Sequence, residues 1–257
     1  MNKNNKASLI LVIITAIVMG LLVILVNNTK APSSTPTSIP AITEFPTELP
    51  TPEPTKVPLP EGFSDVKDYV PDAIIDMRYA GYENFVGRPI PGYEANRAIL
   101  TTKACTALKE AADTLREKGY KIYIYDAYRP ADAVKYFVTW GKDSSDTIKK
   151  ADYYPDLEKE DLFKMYISSD SNHSRGSTID LSIVKSDGTE VNMGGHFDFF
   201  GEISHTFSTE ISAEQLANRK ILRKAMEDAG FTASNTEWWH FKLTNQPYTD
   251  AFNFYVK

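Results

Sequence analysis

The chain has 257 residues, 42% of them hydrophobic and 12% aromatic, which is enough for one globular domain with extensions. Its formal net charge of −6 argues against a nucleic-acid-binding protein, which would show a basic face. The single cysteine, Cys105, excludes an intrachain disulfide and a zinc cluster built on cysteines. Because Cys105 lies among apolar residues at helical spacing, we expect a buried small hydrophobe there.

The N-terminal region predicts a membrane anchor. Residues 7–26 form an almost unbroken apolar run, and 20 residues of helix span about 30 Å, the thickness of the bilayer's hydrocarbon core. Lys3 and Lys6 precede the run, so residues 1–6 are predicted to be a cytoplasmic tail. A cleaved signal peptide is the alternative, but the run ends without a small-residue cleavage site. The prediction is an uncleaved, single-pass signal anchor that leaves the rest of the chain outside the cell membrane.

Residues 27–60 are predicted to be a disordered linker. Nine prolines fall between residues 31 and 60, spaced by Ser, Thr and Glu, and such a segment cannot bury enough apolar surface to fold. An extended polyproline chain rises about 3.1 Å per residue, so this linker could hold the next domain well away from the membrane. Residues 61–257 are then the folded domain.

The folded domain mixes helix and strand signals. In chain order these are a helix over 101–118 ending at Gly119, a strand over 120–125, a helix opened by Pro130 and ending before Gly141, a strand over 178–184, a helix from the capping box at 212–215 to Gly230, and a strand over 240–243. The elements show no regular β-α-β rhythm. We therefore expect an α+β fold, with a small, mainly antiparallel sheet and helices packed against it.

Two short strings carry the chemistry. Residues 171–180 contain His173 and Asp180, and residues 237–240 contain Glu237 and His240. A catalytic zinc takes three protein ligands and leaves a fourth position to water, so His173, Asp180 and His240 are candidate ligands. Glu237 would remain free to act as the base. From spacing alone, an alternative of about equal weight is that His173 caps a loop and His240 is a core histidine.

The predicted elements raise a geometric question about the second string. Asp180 falls on a predicted strand, and His173 lies just upstream in a loop that Gly176 allows to turn. Glu237 and His240 are three residues apart, and on a regular strand such positions face opposite ways. Either Glu237 belongs to the incoming loop or a bulge re-aims it. Both alternatives stay open at this point.

Several strings in the same order resemble one family. Besides the two strings above, they are Asp76-Met77-Arg78-Tyr79-Ala80, Asn84-Phe85-Val86-Gly87, Tyr125-Asp126-Ala127-Tyr128-Arg129-Pro130, Met193-Gly194 and Phe197-Asp198-Phe199-Phe200. Together they resemble the D-alanyl-D-alanine dipeptidases, the VanX-type branch of the zinc peptidases that also includes the D,D-carboxypeptidases. The resemblance runs from about Phe63 to the C-terminus. It implies the related fold of the D,D-peptidases and hedgehog-like domains.

The resemblance assigns the central roles. It implies one Zn²⁺ per chain on His173, Asp180 and His240, with Glu237 taking the attacking water's proton and passing it to the leaving amine. Arg129 would stabilise the oxyanion on the attacked carbonyl, a task suited to a fixed and permanently charged guanidinium. A surface salt bridge is the alternative for Arg129.

Further residues match positions that contact the substrate in this family. Asp198 would face the ammonium of a free dipeptide, while Tyr166 and Ser171 would serve its C-terminal carboxylate. Core packing of Tyr166 and a turn at Asp198 are the alternatives. His196 and His205 are interpreted as supporting or structural histidines, because a fourth ligand would close the water position. Trp238 and Trp239 are expected to wall the pocket, or else to be a core pair.

Three functions remain possible at this stage. The first is zinc-dependent hydrolysis of D-alanyl-D-alanine to two D-alanines, outside the membrane in cell-wall metabolism. The second is a membrane-anchored D,D-carboxypeptidase that trims terminal D-Ala from peptidoglycan stem peptides, which the anchor favours. The third is a wall-binding module without activity. Relatives of the VanX type usually work in the cytoplasm, so a wall-facing location puts a role in glycopeptide resistance in doubt.

Overall fold

The computed structural model describes residues 57–257. The predicted cytoplasmic tail, anchor and nearly all of the linker lie outside these residues and stay predictions. No helix within residues 57–257 is long and apolar enough to span a bilayer.

Residues 57–257 contain seven strands and five helices. The strands are β1 (Phe63–Asp65), β2 (Ile74–Ile75), β3 (Ile99–Thr101), β4 (Tyr120–Asp126), β5 (Thr178–Lys185), β6 (Phe231–Ala233) and β7 (His240–Leu243). The helices are α1 (Thr102–Glu117), α2 (Ala131–Lys142), α3 (Lys150–Tyr153), α4 (Lys159–Met165) and α5 (Ala213–Asp228). The three long predicted helices and the three predicted strands are all present.

The main sheet has five strands in the order β2-β4-β5-β7-β6. All neighbours in it are antiparallel except β2 and β4, which run parallel. A second sheet consists of β1 and β3. The predicted α+β class with a small, mainly antiparallel sheet is therefore confirmed.

Helix α1 packs its apolar face on β4 and α5. Its first turn is capped by the Thr101 hydroxyl, which accepts a hydrogen bond from the Ala104 amide, and Gly119 follows it with a φ of +82°. Cys105 on this face is fully buried, and burial raises the pKa of its thiol to about 12. The cysteine is therefore a core residue, as predicted.

Helix α2 begins after Pro130 but continues through Gly141 to Lys142, so the predicted end before Gly141 is wrong. A Cβ atom at residue 141 would lie 2.0 Å from Cε2 of Phe163 in α4. Glycine is therefore used here for close approach of two helices and not as a helix terminator. Helix α5, by contrast, has the predicted capping box, in which Ser212 and Gln215 each cap the other's backbone amide.

The register of the sheet brings three polar residues into one row. Asp126 on β4 is the partner of Asp180 on β5, and Asp180 is in turn the partner of His240 on β7. A register shift between Ile124 and Asp126 disrupts the ladder just before this row. The candidate site is built around that row.

Candidate metal centre and active site

His173 lies on a short 3-10 turn, Asn172–Arg175, directly before β5. The Ser171 hydroxyl caps the turn by accepting a hydrogen bond from the His173 amide at 3.3 Å. The turn ends at Gly176, whose φ is +75° and where a Cβ would lie 2.3 Å from Cε1 of Phe63. Only glycine fits both conditions, so the chain can reverse here and present His173 to the row on the sheet.

The three candidate ligands converge in space. His173, Asp180 and His240 each offer one ligand atom, and these atoms all lie within 4.8 Å of one another. Nδ1 of His240 is 2.9 Å from Oδ1 of Asp180 and 3.3 Å from Nε2 of His173. The alternative of a loop-capping His173 and an isolated core His240 does not describe this arrangement.

The surroundings of His173 make Nε2 its candidate ligand atom. Its Nδ1 lies 2.7 Å from the carbonyl oxygen of Ala127, so Nδ1 carries the proton and donates it to that carbonyl. In the neutral ring this tautomer puts the lone pair on Nε2, the usual arrangement of a metal-binding histidine. Burial alone would raise the pKa of Asp180, but the two neighbouring imidazoles hold it well below its usual range. Asp180 is therefore an ionised carboxylate.

Glu237 belongs to the loop that enters β7. Of the two alternatives for its position, an incoming loop or a bulge in the strand, the structure has the loop. Its carbonyl accepts a hydrogen bond from the His240 amide at 3.2 Å, so residues 237–240 form a turn that places both side chains on one side. Oε2 of Glu237 lies 3.9 Å from Nδ1 of His240. Burial raises the pKa of Glu237 to about 7, despite the opposing effect of His240.

Arg129 is held inside the site and is not a surface ion pair. Its Nε donates to Oδ2 of Asp126 at 2.9 Å, and Nη2 lies 3.6 Å from Oδ2 of Asp180. Its guanidinium carbon is 5.0 Å from the centroid of the Tyr79 ring. A buried carboxylate on one side and an aromatic ring on another fix the position of the cation.

One cavity of about 210 Å³ joins all eight predicted site residues. They are His173, Asp180, His240, Glu237, Arg129, Tyr166, Ser171 and Asp198. Asp198 has a φ of +61°, and its Oδ2 accepts a hydrogen bond from the Tyr79 hydroxyl at 2.9 Å. Burial and the charge of Asp180 raise its pKa well above the usual value. Such a carboxyl is stabilised in its ionised form when a cation enters the cavity.

The structure also places the two adjacent tryptophans and the two remaining histidines. Trp239 is packed in the core, and Trp238 lines a different and larger cavity of about 840 Å³, so the expectation that they wall the catalytic pocket is wrong. His196 also lines that larger cavity, where its ring nitrogens face the carbonyls of Asp152 and Phe197. Neither His196 nor His205 joins the ligand cluster, in agreement with their interpretation as supporting residues.

Sequence reasoning missed two residues of the site. Asp126 is fully buried and anchors Arg129, while Tyr79 orients Asp198. Asp126 carries a signal in the sequence, because it directly follows a predicted strand and lies three residues before Arg129. Tyr79 lies in one of the strings that resemble the family, but its contact with Asp198 has no local signal, since the two residues are distant along the chain and only the tertiary fold joins them.

Comparison with known proteins matches the whole folded region. The family model of the peptidases described as D-Ala-D-Ala dipeptidase matches residues 60–257. The chain belongs to this family. It is therefore a peptidase, and the alternative of a wall-binding module without activity is not favoured.

Individual relatives agree with the family match. A D-alanyl-D-alanine dipeptidase of Enterococcus faecalis (strain ATCC 700802 / V583) is 45% identical over 184 residues, which cover 70% of this chain and 91% of that protein. One of Enterococcus faecium is 39% identical over 199 residues, covering 76% and 98%. A solved structure of the LdcB LD-carboxypeptidase is 18% identical, with a TM-score of 0.40 over 73% of this chain and 70% of that one, a similarity too low for any argument.

Proposed function

We propose that this protein is a zinc-dependent dipeptidase that hydrolyses D-alanyl-D-alanine to two D-alanines. The observation that carries the proposal is one small cavity in which three ligand atoms converge beside Glu237, Arg129 and Asp198. The names of the relatives support the choice of substrate.

The residues fit a zinc ion. Two imidazole nitrogens and one carboxylate oxygen are donors that zinc accepts, and three protein ligands are the number found in catalytic sites. His173 is fixed by Ala127 in the tautomer that leaves Nε2 free, and Asp180 is ionised. When bound, zinc supplies Lewis-acid activation of water and of the scissile carbonyl.

Glu237 is the proposed proton carrier. A raised pKa, about 7, lets a carboxyl take up a proton and give it back near neutral pH. Its carboxylate lies beside His240, one of the proposed zinc ligands. Glu237 takes the proton from the attacking water and delivers it to the nitrogen of the leaving amine.

Arg129 is the proposed electrostatic stabiliser. Its guanidinium is held by Asp126 and Tyr79 and lines the cavity beside Asp180. A cation fixed in advance stabilises the negative charge that develops on the attacked carbonyl without having to reorganise. Removal of the cation therefore raises the barrier more than it weakens substrate binding.

The cavity favours a free dipeptide over a longer wall peptide. Pockets for drug-sized ligands measure about 300–1,000 Å³, whereas this one measures about 210 Å³. A free dipeptide also has an ammonium group, for which the buried Asp198 is a suitable partner, while Ser171 offers a hydroxyl. A stem peptide has no ammonium at that point and needs room for several more residues.

The proposed location is the outer face of the cell membrane. It depends on the predicted anchor over residues 7–26 and the linker over residues 27–60. There the enzyme would act on D-alanyl-D-alanine released during wall turnover and could not drain a cytoplasmic pool.

The test compares two substrates with the full-length protein. We expect hydrolysis of free D-alanyl-D-alanine, loss of it on chelation, and recovery on addition of Zn²⁺. A stem pentapeptide ending in D-Ala-D-Ala is expected to be cleaved far more slowly. Cleavage of the pentapeptide with the dipeptide left intact would reject the proposal in favour of a D,D-carboxypeptidase.

A further inference from the structure

Tyr166 reaches the catalytic cavity at the end of a chain of polar contacts. Tyr166 directly follows helix α4 and lines the cavity. Its hydroxyl lies 3.1 Å from Nε2 of His205, and Nδ1 of His205 lies 2.9 Å from Oε2 of Glu202. The carboxylate, the imidazole and the phenol therefore form a relay that starts near the surface and ends at the cavity.

The backbone that carries the relay is fixed. Arg219 is a buried residue of α5 that donates to the carbonyls of Met193, Ile203 and His205. It thereby ties both ends of the segment 193–205 to one helix. The His205 side chain projects from a held position, so its contacts with Glu202 and Tyr166 are set by the fold.

The relay sets the direction of the Tyr166 hydrogen bond. Nδ1 of His205 faces the Glu202 carboxylate, which can only accept a hydrogen bond, and in the tautomer with the proton on Nδ1 the Nε2 atom is an acceptor. The Tyr166 hydroxyl then donates its one proton to His205. The Tyr166 oxygen then has only lone pairs to offer a ligand in the cavity. It can accept a hydrogen bond from an N–H group but has no proton to donate to a carboxylate.

We propose that His205 and Glu202 are positioning residues that orient the Tyr166 hydroxyl to accept a hydrogen bond from the nitrogen of the scissile peptide bond. Burial raises the pKa of Tyr166, and the next largest cause is the charge of Glu237, the group that protonates the leaving nitrogen. Tyr166 and Glu237 line the same cavity. This inference rests on the proposed dipeptidase activity and differs from the carboxylate contact expected from the sequence.

The test is a double-mutant cycle on the full-length protein. Tyr166→Phe and His205→Ala are each expected to lower kcat about three- to tenfold, since each costs about one hydrogen bond, with little change in KM. The double variant is expected to be no worse than Tyr166→Phe alone, because His205 acts through that hydroxyl. His205→Gln, whose amide oxygen can replace Nε2, is expected to recover part of the loss.

Charge-matched variants provide the control. Glu202→Gln is expected to lower kcat, whereas Glu210→Gln, which removes an exposed carboxylate from the loop before α5, is expected to leave it unchanged. Additive losses in the double variant would overturn the relay, and an effect confined to KM would overturn the contact with the scissile nitrogen. Absence of dipeptide hydrolysis by the unmodified protein would instead refute the proposed function itself.

Discussion

At the scale of single residues, the site contains one carboxyl group with a lowered pKa and another with a raised pKa. Asp180 is held ionised by two imidazoles, while Glu237, three residues from His240, has a pKa raised by burial to about 7. A ligand has to stay deprotonated and a proton carrier has to change state, so the two carboxyls are suited to different roles. The difference follows from their neighbours, since both are ordinary acidic side chains.

The role of Glu237 is tested by Glu237→Gln. The amide keeps the shape of the side chain but cannot accept and return a proton, so kcat is expected to fall about 10³-fold. Bound zinc, measured by elemental analysis, is expected to stay at the level of the unmodified protein because Glu237 is not a ligand. Full activity in this variant would remove Glu237 from the mechanism.

The geometry at Arg129 is tested by Arg129→Lys, which keeps the charge. Lysine cannot reproduce the planar contact with Asp126 and Tyr79, so we expect kcat to fall about 10²-fold. The zinc content is expected to be unchanged. A rise in KM at constant kcat would show that Arg129 binds the substrate in the ground state instead.

At the scale of elements, Gly141 shows that a local sequence pattern does not reveal contacts between helices. The sequence pattern predicts that α2 ends before Gly141, but the helix continues to Lys142, and the missing side chain of Gly141 leaves room for Phe163 of α4. The capping box of Ser212 was predictable because it depends on contacts within one turn. Contacts between distant segments, such as Phe163 against Gly141 or Tyr79 against Asp198, have no local signal.

The packing of α2 on α4 is tested by Gly141→Ala. The added methyl overlaps the Phe163 ring, and overpacking of this kind typically costs about 1–3 kcal/mol of unfolding free energy. Gly81→Ala is the control, because nothing lies within 4 Å of a Cβ there and its φ is −123°. Urea unfolding of both variants should show a lowered midpoint for Gly141→Ala only; equal midpoints would contradict the packing argument.

At the scale of the whole molecule, the row Asp126–Asp180–His240 is the feature that joins fold and chemistry. The sequence indicated the three candidate ligands, Glu237 and the α+β class, because motif strings and local patterns carry that information. It could not indicate that β5 lies between β4 and β7 in a register that aligns these residues. That alignment depends on strand pairing between segments far apart in the chain.

The raised pKa of Glu237 also predicts how stability of the metal-free protein depends on pH. A carboxyl whose pKa rises from 4.5 unfolded to about 7 folded stabilises the fold below pH 4.5, and this contribution is lost as the pH rises through 7. The loss amounts to at most about 3 kcal/mol at 1.36 kcal/mol per unit. Urea unfolding at pH 5 and pH 8, with a chelator present to keep the protein free of metal, measures this loss. The free energy of unfolding should fall more between the two pH values for the unmodified protein than for Glu237→Gln. An equal fall in the free energy of unfolding for both proteins would contradict the burial of Glu237.

The measurement that tests the central claim most directly is the metal content of the purified full-length protein and of its ligand variants. We predict one zinc per chain in the unmodified protein, and loss of zinc together with activity in His173→Ala and His240→Ala. His196→Ala, which changes a histidine outside the cluster, is expected to keep its zinc. A protein that hydrolyses the dipeptide without bound metal, or that keeps its zinc when His173 and His240 are replaced, would contradict the account.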